Sequence, residues 1–373
     1  MKKEIGSEFY LDRYENLEDK PINFNHLGLC IADTAFISTG RSAISFILEQ
    51  IKIPQDEKIA LLPAFTCYTV IEPFINAGYS INFYSINRDM TYDRKMFLEE
   101  LERVKPCVVL VHGYFGFDTL KPIKNILKHI KMKGSIVIED ITQTLYSDIR
   151  FSDVDYYVFS FRKWLAIPDG GCVISSKKTF SFKPFKVDIA LQEKKLEAFH
   201  AKYLYITRDI GVKDDFLKLF YEADRILGNQ STIYAMSPTS KMIQSNADIE
   251  FLKLRRRKNY EVLLRGLSDI KAIDLIFDKL GENIVPLYFP FYVKSDRAEL
   301  QSYLAKNDIY APIVWPKSSH CEGLIDEESE WIYKHILVLP CDQRYDISDM
   351  EKIIRVVKDY DCILSQEEVS AKV

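Results

Sequence analysis

The sequence predicts an α/β fold: a mostly parallel central sheet with helices on both faces, followed by a smaller carboxy-terminal α/β domain. Three observations carry this. Strand-like and helix-like stretches alternate between residues 38 and 175. Several of the strand-like stretches, such as CVVLVH at residues 107–112, are apolar throughout, as strands buried on both faces must be. The third is YYVFSFRKWLAIPDGGCVIS at residues 156–175, where an apolar strand delivers Arg162 and Lys163 to its end before a Pro-Asp-Gly-Gly turn and a second strand.

The elements follow in order. Residues 1–35 read as an irregular arm. Residues 38–51 (STGRSAISFILEQI) place Ile44, Ile47, Leu48 and Ile51 on one helical face, with Ser38, Thr39 and Gly40 where an N-cap belongs. Residues 58–62 form a strand, and a helix runs on to Ala77 and Gly78. Strands at 80–84, 107–112 and 135–138 alternate with helices at 95–104 and 120–131. The last of these strands ends in Glu139-Asp140. Residues 176–248 mix helical pieces (189–199 and 216–227) with a turn at 234–238. A helix at 249–267 leads to strands near 285–293 and 336–338 and helices at 297–306 and 347–358. The expected organisation is an arm (1–35), a large domain (36–248) and a small domain (249–373) covering its mouth.

Composition narrows the function. A chain of 373 residues, 47% hydrophobic and 28% charged, buries a core large enough for two domains. A net charge of −4 argues against nucleic acid as a partner. The run Arg255–Lys258 lies in a helical pattern and reads as a solvated face or a subunit contact. The seven cysteines show no CxxC pair, and most lie in apolar runs, which fits buried, reduced thiols better than disulfides or a metal site. No stretch has the length of a signal peptide's apolar region or a membrane span, so a cytoplasmic protein is expected.

In doubly wound sheets the ligand lies beyond the carboxyl ends of the strands. Asp140, Gln143, Ser160 and Lys163 fall at such ends, as do the turns at Phe65-Thr66 and His112-Gly113. A lysine held between two core strands is desolvated, which favours the uncharged amine that a Schiff base requires. The strand by itself leaves open an ordinary surface lysine. A helix opening with glycine and free amides is an anion cradle, and equally an ordinary cap. Together, however, a phosphate cradle, a strand-end carboxylate and an amine are the parts that a pyridoxal-phosphate site needs.

On these segments the chain resembles the fold-type I aminotransferases, and within them the DegT/DnrJ/StrS sugar aminotransferase family. IEDITQ (138–143) is similar to that family's strand ending Glu-Asp-x-x-Gln. SFRKWLAIPDGG resembles its Ser-Phe…Lys…Gly-Gly segment, and STGRSAI its glycine-led helix start. LLPAFTCYTVIEPFINAGYSINFYSIN follows its Pro-x-x-Thr…Ala-Gly pattern, and HILVLPCDQRYDISDMEKIIRVV its carboxy-terminal tail. The resemblance covers most of the chain.

It implies pyridoxal 5′-phosphate as cofactor and a homodimer with the site at its interface. Lys163 would carry the cofactor and shuttle the proton, Asp140 would pair with the ring nitrogen, and Gln143 would approach the phenolic oxygen. Gly40, Arg41, Ser42 and Ser160 would hold the phosphate, with Arg162 adding charge. His112 reads as a supporting histidine rather than a catalytic one. The implied reaction moves an amino group, with glutamate as donor, to a keto sugar, nucleotide-linked, in surface polysaccharide or amino-sugar synthesis. Alternatives are another fold-type I reaction (a lyase or an amino-acid aminotransferase) or a non-catalytic sugar-binding or regulatory descendant. Retention of Lys163 speaks against the family's dehydratase branch, where histidine replaces it.

Three departures stand out. The ring-stacking aromatic expected after Pro-x-x-Thr is Cys67 here, with Tyr68 next. Ser160 precedes Lys163 by three residues where the family often has five. The family's Asn-x-Arg-Met-Ser loop reads Ile233-Tyr234-Ala235-Met236-Ser237, without its asparagine and arginine. A dedicated arginine for a substrate α-carboxylate would favour the lyase or amino-acid aminotransferase alternative; Arg41, Arg162 or Arg344 could play this part, and the sequence does not choose.

Overall fold

The computed structural model describes residues 4–12, 17–24, 27–150 and 153–370, with side chains described as far as residue 366. The first half contains β1 (Ile5–Gly6), β2 (Asp33–Ile37), α1 (Gly40–Gln50), β3 (Ile59–Pro63), α2 (Tyr68–Asn76) and β4 (Ser80–Tyr84). It continues with α3 (Arg94–Val104), β5 (Val108–His112), α4 (Lys124–Met132), β6 (Ile136–Asp140), β7 (Tyr156–Ser160) and β8 (Gly171–Ser175). The second half adds α5 (Ile189–Arg208), α6 (Lys213–Gly228), α7 (Pro238–Ser245), α8 (Ile249–Leu267), β9 (Ile273–Leu275) and β10 (Phe289–Val293). Then come α9 (Arg297–Lys306), β11 (Ile309–Tyr310), α10 (Glu327–His335), β12 (Ile336–Leu339) and α11 (Ile347–Ser370).

Among the described residues the strands form three sheets. The largest has the order β2-β8-β7-β6-β5-β3-β4. Its members from β7 to β4 are parallel, and β8 is antiparallel to both β7 and β2. β2 therefore runs with the parallel set, and β8 alone runs against it. The carboxyl ends of β2, β3, β5, β6 and β7 thus share one edge. The other sheets are β12-β10-β9, antiparallel, and the short pair β1-β11.

Side-chain alternation along β5 shows how the layers form. Val108 and Leu110 point into one core with Ile44, Phe46 and Ile47 of α1 and Phe74 of α2. Val109 and Val111 point into the opposite core, which is continuous with Leu252 and Tyr260 of α8 and Phe289 of β10. The carboxy-terminal elements therefore pack on the second face of the large sheet, and their loops reach the edge where the strands end.

Helix boundaries follow side-chain caps. Asp248 and Asp296 accept from the Phe251 and Ala298 amides, so α8 and α9 begin where the sequence predicts. The arm differs from expectation. Its end, Asp33–Ile37, is an edge strand paired with β8, Asp33 against Ser175 through Ile37 against Gly171. A five-residue strand opening Asp-Thr carries little β signal, and its partner lies far along the chain. α5 also runs on past residue 199 to Arg208, ending only where Asp209 turns to a positive φ of 57°. Arg256 does not lie on a solvated face. It is buried, because Gln343 and the carbonyls of Pro286 and Leu287 satisfy its guanidinium. The cysteines also correct the reading: Cys172, Cys321 and Cys341 are buried, but Cys30 and Cys362 are exposed and Cys67 and Cys107 intermediate. No helix among the described residues is long and apolar enough to cross a membrane.

Candidate active site

At the strand-end edge, β2 passes into α1 through Ser38 and Thr39. Thr39 caps the helix, its hydroxyl accepting from the Ser42 amide at 3.0 Å. The Gly40 and Arg41 amides, at the positive end of the helix, have no acceptor among the described residues. This corner depends on Gly171. A Cβ there would lie 2.4 Å from both the carbonyl carbon and oxygen of Thr39, so only glycine lets β8 approach the helix start. A Cβ on Gly40 would reach Ser160 Cβ at 3.4 Å, occupying the space between them. Gly40 and Ser160 therefore lie close together where both border the cavity described below, and the Ser160 hydroxyl donates to the Gly170 carbonyl at 3.3 Å.

The second group stands on β5, β6 and the turn after β6. Asp140 ends β6 in register with His112 of β5. Its carboxylate accepts from the Thr142 amide at 2.8 Å. Burial raises the Asp140 pKa, against the opposing pull of the Thr142 hydrogen bonds and the Lys163 charge. Such a carboxylate gains from a cationic neighbour. The Gln143 side-chain carbonyl accepts from the Phe115 amide at 2.6 Å, which orients the side-chain NH2 as the free end. His112 is buried, its Nε2 3.0 Å from Thr66 Oγ1, and desolvation pulls its pKa down to about 3. It is neutral at working pH, in keeping with a supporting role.

Lys163 ends the 3-10 turn Phe161–Lys163 that follows β7. The turn is fixed from behind through Trp164. Its indole donates to the Thr142 carbonyl at 2.7 Å, its carbonyl accepts from Gln343 at 2.6 Å, and the Arg256 guanidinium lies 4.5 Å from its ring centre. Lys163 itself is exposed, contrary to the desolvated amine expected from its strand. The turn lifts the side chain out of the core and into a cavity mouth.

Gly40, Arg41, Cys67, Asp140, Gln143, Ser160 and Lys163 border one cavity of about 440 Å³. Two expected residues do not. The Ser42 amide and hydroxyl are both engaged with Thr39, inside the cap. Tyr68 is 41% exposed and stacks on His320, with ring centres 5.9 Å apart. At the helix start it turns outward while Cys67 turns in, so it offers no ring face to this cavity. Thr66 of the expected strand-end turn and Trp315 also border the cavity, as does Thr142, which sequence reading missed. Trp315 packs 5.2 Å from Phe65 and 5.7 Å, edge-on, from His112. Its position follows only from folding of the carboxy-terminal segment. The Met236-Ser237 pair holds the turn before Gly170: Ser237 donates to Asp169 from its amide at 3.0 Å and its hydroxyl at 2.8 Å.

Arg162 and Lys163 also border a second cavity of about 730 Å³, which the arm helps to wall. Three of its other cations hold the arm down. Lys202 donates to Ser7 Oγ and the Glu8 carbonyl at 2.6 Å, Lys213 pairs with Glu4 at 2.5 Å, and Arg344 makes a fork on Asp342 and bonds the Glu8 carbonyl.

The open α1 amides beside Ser160, the Asp140 carboxylate, the free Gln143 amide and the Lys163 amine fit the phosphate, ring nitrogen, phenolic oxygen and aldehyde of pyridoxal phosphate. Comparison with known proteins points the same way. The family model for the DegT/DnrJ/EryC1/StrS aminotransferase family matches residues 13–358. The fold is similar to that of Helicobacter pylori PseC, an aminotransferase involved in the biosynthesis of pseudoaminic acid. Identity is 16%, with 96% of this chain and 99% of that chain covered and a TM-score of 0.69. It is also similar to NtdA from Bacillus subtilis with bound cofactor PMP (15% identity, 95% and 78% covered, TM-score 0.62). A third is the GDP-4-keto-6-deoxymannose-3-dehydratase ColD with bound GDP-perosamine (16% identity, 89% of each chain, TM-score 0.61). Sequence comparison with curated proteins gives no match. A family match over nearly the whole chain, on this fold and with these residues at one cavity, identifies the chain as a member of the DegT/DnrJ/EryC1/StrS aminotransferase family, a pyridoxal-phosphate-dependent enzyme.

Proposed function

We propose that this aminotransferase moves an amino group from glutamate to a nucleotide-linked keto sugar, and that its site is the 440 Å³ cavity bordered by Lys163. The observation that carries the reading is the convergence of Lys163, Asp140, Gln143 and the α1 amides on that one cavity. Bound there, pyridoxal phosphate would supply an electron sink for the carbanion left when a proton is removed next to nitrogen. The chain's own groups do the rest. The Gly40 and Arg41 amides and the Ser160 hydroxyl hold a phosphate, as a helix start and hydroxyl can. Asp140, its pKa raised by burial, would face the ring nitrogen and favour its protonated form. The Gln143 amide, its carbonyl held by Phe115, would donate to the phenolic oxygen. The Lys163 amine, at the cavity mouth, would be the group that holds the cofactor and that accepts and returns the proton.

The nucleotide link is supported by the structural similarity to ColD, described with GDP-perosamine bound. We also propose a cytoplasmic homodimer, supported by exposed apolar side chains such as Phe185, Tyr221 and Leu254. The test is a visible absorption spectrum of the purified protein with pyridoxal phosphate, beside Lys163→Ala. A cofactor band in the wild type that glutamate bleaches, absent from the variant, is the expected result. A wild-type protein that develops no band overturns the catalytic reading.

A further inference from the structure

Of three arginines that could hold an acidic substrate group, two are already committed. Arg41 donates to Glu72 at 2.9 Å and to the Leu227 carbonyl at 2.5 Å. Arg344 gives both arms of its fork to Asp342, at 2.8 and 2.9 Å, and a further bond to the Glu8 carbonyl. Arg162 is different. It is half-buried, and no hydrogen bond or ion pair engages it among the described residues. The carboxylate that influences it is Asp169, whose oxygens are taken up by the Ser237 amide and hydroxyl. Arg162 borders both cavities, beside Lys163 at their junction. The other cationic side chains bordering the second cavity, Lys202, Lys213, Arg256 and Arg344, all have partners. A guanidinium left with its donors free, half out of water, is arranged for an anion that arrives from outside.

We infer that Arg162 binds the carboxylate of the amino donor, holding the donor's amine against the position of Lys163; this rests on the aminotransferase reading above. Two oxyanions compete for the assignment, the donor carboxylate and the cofactor phosphate. The phosphate is already provided for by the α1 amides and Ser160. The α-carboxylate is one carbon from the reacting nitrogen, so its anchor must stand next to the lysine, as Arg162 does. A planar fork also matches a planar carboxylate in two parallel hydrogen bonds.

The experiment uses the holoenzyme and two small probes that capture the cofactor's carbonyl carbon without any transamination. Aminooxyacetate carries a carboxylate, and O-methylhydroxylamine lacks one. The ratio of their capture rates, read from the change in visible absorbance, measures carboxylate recognition alone. Wild type should favour aminooxyacetate. Arg162→Gln should lower the ratio by about ten- to a hundredfold, the range of a charge-assisted hydrogen bond. Arg162→Lys keeps the charge and should retain part of the preference, which separates lost recognition from a folding defect. An unchanged ratio in Arg162→Gln overturns the assignment. If that variant instead weakens pyridoxal phosphate binding, measured by equilibrium dialysis, Arg162 belongs to the phosphate and the inference is wrong. A wild-type protein that shows no cofactor band fails earlier, and sinks the aminotransferase reading itself.

Discussion

The two cavities that meet at Lys163 are both rich in charge, yet they are built in opposite ways. In the smaller one the polar groups are held in place but left open: the α1 amides, the Gln143 amide and Arg162 have no acceptor among the described residues. In the larger one the cations Lys202, Lys213 and Arg344 are all matched by the chain's own arm or by Asp342. Charge content does not distinguish a ligand site from a structural clamp. Unfilled hydrogen-bonding capacity does.

This contrast can be broken by substitution on each side. Arg344→Ala leaves Asp342, 8% exposed at the side chain, without its partner. Burial works to raise the Asp342 pKa, and Arg344 outweighs it, holding the carboxyl below its usual range. Loss of the guanidinium should lower stability by about 3–5 kcal/mol, read by denaturant unfolding, with cofactor capture retained. Asp140→Asn should do the reverse. It should reduce kcat/KM by roughly 10²- to 10³-fold without loss of thermal stability, because burial already disfavours that charge in the empty site.

The clamp also has a pH signature. Burial lowers the Lys202 pKa from 10.5 to about 7. Between those values the unfolded chain holds a proton that the folded chain lacks, so stability rises with pH across the window, by at most about 1.4 kcal/mol per pH unit. Thermal melts of the wild type beside Lys202→Met should show this slope in the wild type only. Tyr68→Ala, at an exposed ring outside the cavity, should change stability by less than about 0.5 kcal/mol and leave cofactor affinity where it was, by melting and equilibrium dialysis.

Much of this was legible from residues alone, for physical reasons. α8 and α9 are marked by aspartate caps and a continuous helical pattern, and β5 by an unbroken apolar run. Asp140, Gln143, Ser160 and Lys163 were readable because strand ends in such sheets face one edge. β2 was not, since an edge strand is decided by its partner β8, far away in the chain. Nor does adjacency reveal which of Cys67 and Tyr68 turns inward at a helix start. The exposure of Lys163, the burial of Arg256 and the place of Trp315 all depend on loops that come from the carboxy-terminal elements. The isolation of Arg162 becomes visible only when the partners of the other arginines at the two cavities, Arg41, Arg256 and Arg344, have been found.

The contact of Gly171 with the Thr39 carbonyl has one more consequence. The amides at the start of α1 are positioned by backbone resting on backbone, with no side chain to reorient and no loop to close. The amides are thus held in place by the fold itself. An anion arriving at these amides is therefore expected to lose little to ordering the chain and to bind at a rate set by encounter and charge.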